Sequence, residues 1–184
     1  MKLSDLGINI PSGSCCNCGA THYLREIDTR LVLTRYIFLG GTEYILKSDF
    51  PYCDQCAATA NRITPGFMHK LLVFLVWFGL IIVGLVMYEI ATETILHIWN
   101  VKVFAIALFL SGGGTYYYYS RQRPQPGQTS FYQPVRLKKL KQKFSGEVTG
   151  VTLGFTNQEF GNKFLEVNRE AVENNVLEIV LTRE

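Results

Sequence analysis

Two long uncharged runs divide this chain into polar ends and an apolar middle. Residues Leu71 to Tyr88 read LLVFLVWFGLIIVGLVMY, eighteen positions without a charge. At a helical rise of about 1.5 Å per residue they nearly match a hydrocarbon core of roughly 30 Å. A second uncharged run, Val103 to Ser120, follows a short polar interval carrying Glu89, Glu93 and Lys102. The pattern predicts a transmembrane helical hairpin over 66–121, with spans at about 69–90 and 97–120. Upstream, Tyr23 to Ile27, Arg30 to Leu39 and Thr42 to Leu46 are β-rich, and Gly40-Gly41 signals a hairpin turn between the last two. Downstream, Val148 to Phe155 reads as a strand. Thr156 or Asn157 can cap a helix to about Val172, whose apolar face carries Phe160, Phe164, Val167 and Ala171, and Val176 to Leu181 reads as a final strand. Periodicity leaves Pro134 to Phe144 undecided between strand and helix.

These elements give an α+β membrane protein in four parts. They are an N-terminal β domain (1–65), the hairpin (66–121), a Pro/Gly-rich polar linker (122–133) and a small C-terminal α/β cap (134–184). Each polar flank is near the lower size limit for an independent domain, where a metal, a partner or the membrane usually supplements a small core. Phe155, Phe160 and Phe164 are expected in the cap's core, whereas Asn157, Asn162 and Asn168 read as a cap and a solvated helix face.

Charge distribution refines the topology more than the net charge of +3. Arg62 and Lys70 precede the first span; Arg121, Arg123, Arg136, Lys138, Lys139, Lys141 and Lys143 follow the second. By the positive-inside tendency both termini lie in the cytoplasm. The segment MKLSDLGINIPSG has no sustained apolar stretch, so no removable signal peptide is predicted. Five basic residues at the inner leaflet, Arg136, Lys138, Lys139, Lys141 and Lys143, would be drawn to anionic lipid, with about 1 kcal/mol from each near the surface.

The candidate chemistry lies in the cysteines. All five precede the first span and would face a reducing compartment, where paired thiols are more often metal ligands than disulfides. Cys15-Cys16-Asn17-Cys18-Gly19 and Cys53-Asp54-Gln55-Cys56 are two C-x2-C pairs. Each turn sets two thiolates on one side of a knuckle, and two knuckles close a tetrahedron around Zn²⁺. Iron held as in rubredoxin, a redox dithiol pair and unmetallated buried cysteines are the alternatives, Cys16 stands beside Cys15 as a competing ligand, and His22 is not needed once four cysteines are counted. Knuckle, β-hairpin, knuckle over residues 15–57 resembles the zinc-ribbon superfamily. The resemblance implies Cys15, Cys18, Cys53 and Cys56 as ligands of a structural zinc and leaves activity open, because ribbons serve many settings. The ribbon-plus-hairpin layout is also similar to that of two-span membrane proteins of bacterial type.

The remaining patterns favour packing over reaction. Ala107, Ser111 and Thr115 form a small-residue stripe on the second helix, suited to close approach of a neighbouring helix. Ser111-Gly112-Gly113-Gly114 is costly in a helix, about 1 kcal/mol per glycine relative to Ala, and is read as tight packing. Neither span has an acid, Arg or His at mid-depth, which disfavours transport by one copy. Arg25, Arg30 and Arg35 are interspersed with acids and read as a solvated face, which disfavours nucleic acid as a partner. No phosphate loop, paired carboxylates or nucleophile triad is evident, nor a small-molecule substrate. The sequence is read as a non-enzymatic accessory subunit, with the bilayer and other membrane subunits or further copies of itself as partners. The second reading is a membrane-tethered module that binds nucleic acid, anionic lipid or a soluble protein.

Overall fold

The computed structural model describes residues 1–37, 40–92, 101–143 and 146–182. It divides into two compact units, one made of Met1–Thr64 with Pro124–Glu184 and the other of Pro65–Arg123.

The first unit joins what the sequence pattern separates. Strands β1 (Leu24–Ile37) and β2 (Gly40–Cys53) form a two-stranded antiparallel ribbon in register from Leu24 opposite Cys53 to Ile37 opposite Gly40. The two β segments expected at Tyr23–Ile27 and from Arg30 onward are thus one strand. Asp28-Thr29 looks like a break, yet Thr29 is buried within the strand and its hydroxyl donates to the Ile27 carbonyl at 2.9 Å. Gly40 and Gly41 are paired strand residues, opposite Ile37 and Tyr36; Phe38 and Leu39 lie outside the described residues.

Strands β3 (Val135–Gln142), β4 (Val148–Phe155) and β5 (Leu177–Leu181) make a second sheet in the order β3-β4-β5. The β3-β4 pair is antiparallel and the β4-β5 pair parallel. The undecided stretch is therefore a strand; Phe144 lies outside the described residues. The crossover between the parallel strands consists of α3 (Gln158–Val167) and the short α4 (Arg169–Glu173). Asn157 caps α3, its side chain accepting from the Phe160 amide at 3.1 Å. One helix to Val172 was expected; the structure breaks it at Asn168, whose side chain turns inward. Asn168 is buried, against the expectation of a solvated face, and Val167 is exposed. Its amide group donates to the Asn9 carbonyl at 2.7 Å and to the Phe164 carbonyl at 2.8 Å, while its oxygen accepts from the Asn9 amide at 2.7 Å.

One apolar core runs through both flanks. Leu31, Leu46, Phe50 and Tyr52 of the ribbon share it with Val135, Val151, Leu153, Phe155, Phe160 and Phe164. The Phe50 and Phe164 rings stack with centroids 6.4 Å apart. A two-stranded ribbon alone is marginal in water; here the carboxy-terminal phenylalanines complete its core. The proposed linker is likewise ordered at its far end, since the Gln133 side chain donates to the carbonyls of Arg30 (3.0 Å) and Ala60 (3.2 Å).

The second unit is a pair of helices, α1 (Phe67–Thr92) and α2 (Val101–Ser120). Only α1, among the described residues, is long and apolar enough to cross a membrane, and none of its apolar window is buried. The α2 helix has a spanning length of about 30 Å, but three glycines and four tyrosines dilute its apolar character, so the two-span hairpin rests on less than the sequence pattern suggested. The helices pack on each other through Phe78 and Phe104, edge to face at 5.2 Å. Ala107 and Ser111 are fully buried and Thr115 half-buried. Both hydroxyls bond back along the helix, Ser111 to the Ala107 carbonyl at 2.6 Å and Thr115 to the Ser111 carbonyl at 2.8 Å. Of the three glycines, Gly114 lies against Trp77, where an added Cβ would sit 3.5 Å from the indole, while Gly112 and Gly113 face open space. Glu93 and Trp99 lie outside the described residues.

Candidate metal centre

The base of the ribbon brings the two C-x2-C knuckles together. Pairing of Leu24 with Cys53 fixes the second knuckle at the end of β2, and the Cys16 amide donates to the Pro51 carbonyl at 3.0 Å, bringing the first alongside. In the first knuckle the Gly19 amide donates to the Cys15 carbonyl (2.9 Å) and the Cys15 amide to the Ala20 carbonyl (2.7 Å), a reversal that requires positive φ at Gly19, +78°. The second knuckle has Ala57 in the corresponding place. It closes instead with a 3₁₀ turn, Ala57–Thr59, in which the Thr59 amide and hydroxyl both donate to the Cys56 carbonyl, at 2.8 and 2.7 Å.

The Sγ atoms of Cys15, Cys18, Cys53 and Cys56 all lie within 4.8 Å of one another. Cys18 and Cys53 are 3.5 Å apart and no cysteine is in a disulfide. Bonds of about 2.3 Å to a tetrahedral zinc put sulfurs about 3.8 Å apart, so the cluster has the dimensions to hold such an ion. Cys15, Cys53 and Cys56 are buried and Cys18 half-buried.

The electrostatics point the same way. Cys15 is drawn far below the usual thiol range because the Cys16 and Cys56 thiols donate to it. Cys56 is pushed far above that range, chiefly by sharing its proton with Cys15, and burial raises Cys18 to about 11. Four sulfurs this close cannot all ionise without a cation among them, and a divalent ion supplies that charge. A set of four thiolates fills a tetrahedron and keeps no position for water or substrate, which suits a structural ion.

Cys16 does not join the cluster. It is fully buried behind it, beside the Tyr52 hydroxyl, which is itself buried and makes no hydrogen bond of normal length. His22 is exposed and pairs with the Thr21 hydroxyl at 3.2 Å. Arg25 pairs with Asp54, and Arg30 and Arg35 are exposed, as a solvated face requires. Of the five basic residues, Arg136 is half-buried, Lys138 and Lys139 are exposed, Lys141 donates to the Asn175 carbonyl at 3.3 Å, and Lys143 pairs with Glu147 at 3.0 Å.

Sequence reasoning missed Asn17, a residue between the first two clustered cysteines. Fully buried, its side chain donates to Thr59 Oγ1 (3.1 Å) and the Ser130 carbonyl (3.0 Å) and accepts from the amides of Thr129 and Ser130, both at 3.0 Å. Its backbone carbonyl accepts from Thr129 Oγ1 (2.7 Å) and the Asn157 side chain (3.3 Å). The first knuckle thus holds the second knuckle, the segment following α2 and the start of α3. The available signal was a polar, turn-forming residue inside C-x2-C, which carries no hint of a partner more than a hundred positions away. No protein family, characterised protein or solved structure matches the chain.

Proposed function

We propose that this protein is a non-enzymatic accessory subunit of a membrane assembly, anchored by α1 and α2 and presenting a zinc-stabilised unit on the cytoplasmic side. One observation carries this reading: an apolar helix pair with large exposed side chains is joined to a unit organised by four thiols with no vacant ligand position. Leu72, Leu80, Met87, Ile90 and Phe109 are each more than half exposed. Such a surface needs lipid or other helices to cover it. The Ala107, Ser111 and Thr115 stripe is used between the two helices, which leaves the outer faces for the bilayer and partner subunits or further copies. A saturated thiolate set supports a structural ion, and Zn²⁺ is the metal that four sulfurs in a tetrahedron favour. Positive residues flanking both helices support cytoplasmic ends.

Extraction in mild detergent followed by mass measurement of the particle tests the assembly. A larger complex or homo-oligomer is expected, and a stable lone monomer with nothing co-purifying would contradict it.

A further inference from the structure

Strand β3 pairs with β4 through two register shifts, the first of which sets Lys138 apart. Its register against β4 runs Leu137 opposite Leu153 and then Lys139 opposite Thr152, so Lys138 is an extra residue in a bulge. Its stem lies over Gly154, where an added Cβ would come within 2.8 Å of the Lys138 Cε. Arg136 is paired with the same glycine. The missing side chain on β4 therefore makes room for the Lys138 stem.

Arg136 and Lys138 line a cleft of about 230 Å³ between β1 and β3, walled by Val32, Ile63, Thr64, Gln133 and Leu137. A second cleft, of about 330 Å³, continues on the other side of Lys138 with Thr34, Arg35 and Lys139. No carboxylate is among the described residues that line either one. The Arg136 guanidinium is half-buried, with its Nε donating to the Gln133 carbonyl at 3.2 Å, and burial holds it below its ordinary pKa. The remaining lining fits an amphiphile: Ile63 is 57% exposed beside the Thr64 hydroxyl. Thr64 precedes the first residue of α1 by three positions, so the chain keeps it within about 10 Å of that helix.

We propose that the β1–β3 cleft binds the phosphate of an anionic lipid headgroup, with Arg136 and Lys138 on the phosphate oxygens, Thr64 as a hydroxyl donor and Ile63 toward the glycerol and acyl side. This assignment rests on the membrane reading above, because a phosphate offered by a lipid is supplied where α1 enters the bilayer. It distinguishes Arg136 and Lys138 from Lys141 and Lys143, which would contribute only to general attraction.

The test uses the full chain in phosphatidylcholine nanodiscs with and without phosphatidylglycerol, reading retained anionic lipid by mass spectrometry after delipidating washes. Arg136→Gln combined with Lys138→Gln is compared with Lys141→Gln combined with Lys143→Gln, an equal change of charge, and metal content and circular dichroism confirm folding of each. The first pair is expected to lower retention at least ten-fold and the second less than three-fold; equal losses would overturn the site. Should the first pair misfold, Arg136→Lys with Lys138→Arg keeps the charge, and its retention is expected to fall several-fold because the geometry is lost. Titration with inorganic phosphate or glycerol 3-phosphate distinguishes the source. Saturation below millimolar concentration without any lipid preference would overturn the lipid assignment in favour of a soluble phosphate. If alkaline carbonate releases the chain from membranes, the membrane reading fails by itself, and the phosphate titration still decides the cleft.

Discussion

Replacing Asn17 with alanine is the sharpest local perturbation available. The side chain supplies two donated and at least two accepted hydrogen bonds in a fully buried position between the first pair of clustered cysteines. Alanine keeps the backbone carbonyl and its contacts to Thr129 and Asn157, including the longer bond from the Thr129 amide at 3.3 Å, but strands the Ser130 amide and the Ser130 carbonyl. Each buried polar group left without a partner costs about 1–3 kcal/mol. Thr129 keeps that bond and is exposed to water, whereas Ser130 is buried. The expected cost is therefore about 3 kcal/mol, a large share of the stability of a small unit. Pulse proteolysis across a urea series in nanodiscs measures it, and hydrogen exchange locates it. Protection should fall first over residues 128–134 and at the N-terminus of α3, while metal content stays near one ion per chain. A change below about 1 kcal/mol, or exchange that rises evenly over the whole unit, would refute the role of Asn17 as the tie between the flanks.

Other outcomes follow from the same geometry. Cys56→Ser or Cys18→Ser should abolish stoichiometric metal by elemental analysis, whereas Cys16→Ala should retain it and lose about 1–2 kcal/mol of stability through the small cavity left behind Tyr52. Asn168→Ala should cost about 2–3 kcal/mol and release residues near Asn9, read by exchange, because a bidentate contact to a backbone is lost. In α2, Gly112→Ala and Gly113→Ala should each stabilise the helix pair by about 1 kcal/mol, while Gly114→Leu should separate it from Trp77, read by Trp fluorescence and resistance to dodecyl sulfate. The pH dependence has opposite signs in the two metal states. Burial raises Cys18 to about 11 without metal, so its contribution in that form is complete below the ordinary thiol pKa near 9 and disappears as pH rises through 11. Metal binding needs thiolates and releases protons, so the metal-bound form should lose its ion and stability as pH falls, read by thermal unfolding across the two ranges.

The four-cysteine cluster was legible because C-x2-C spacing is a local instruction: two thiols in one tight turn, with a glycine beyond the second in the first knuckle. Strand β4 was legible to the residue, since Val148 to Phe155 is an apolar run bounded by turns, and Asn157 was readable as a cap. What escaped reading depends on distant partners. Asp28-Thr29 resembles a break until Thr29 meets the core. Asn168 resembles a solvated helix residue until Asn9 is placed beside it. The two flanks looked like separate small domains because no local pattern reveals that Phe164 stacks on Phe50 or that Thr129 and Ser130 bind Asn17. The supplement that each small flank needs is partly the other flank: one core spans both, and the carboxy-terminal one supplies Val135, Val151, Leu153, Phe155, Phe160 and Phe164 to it.

The central claim is that one thiolate-held ion organises both flanks as a single unit, and hydrogen exchange on the full chain in nanodiscs, before and after removal of metal by a strong chelator, tests it most directly. Protection should be lost together at residues 15–20, 53–60, 128–134 and the start of α3, and should return together when one equivalent of zinc is restored. Loss confined to the two knuckles, with residues 128–134 and α3 still protected, would contradict the claim.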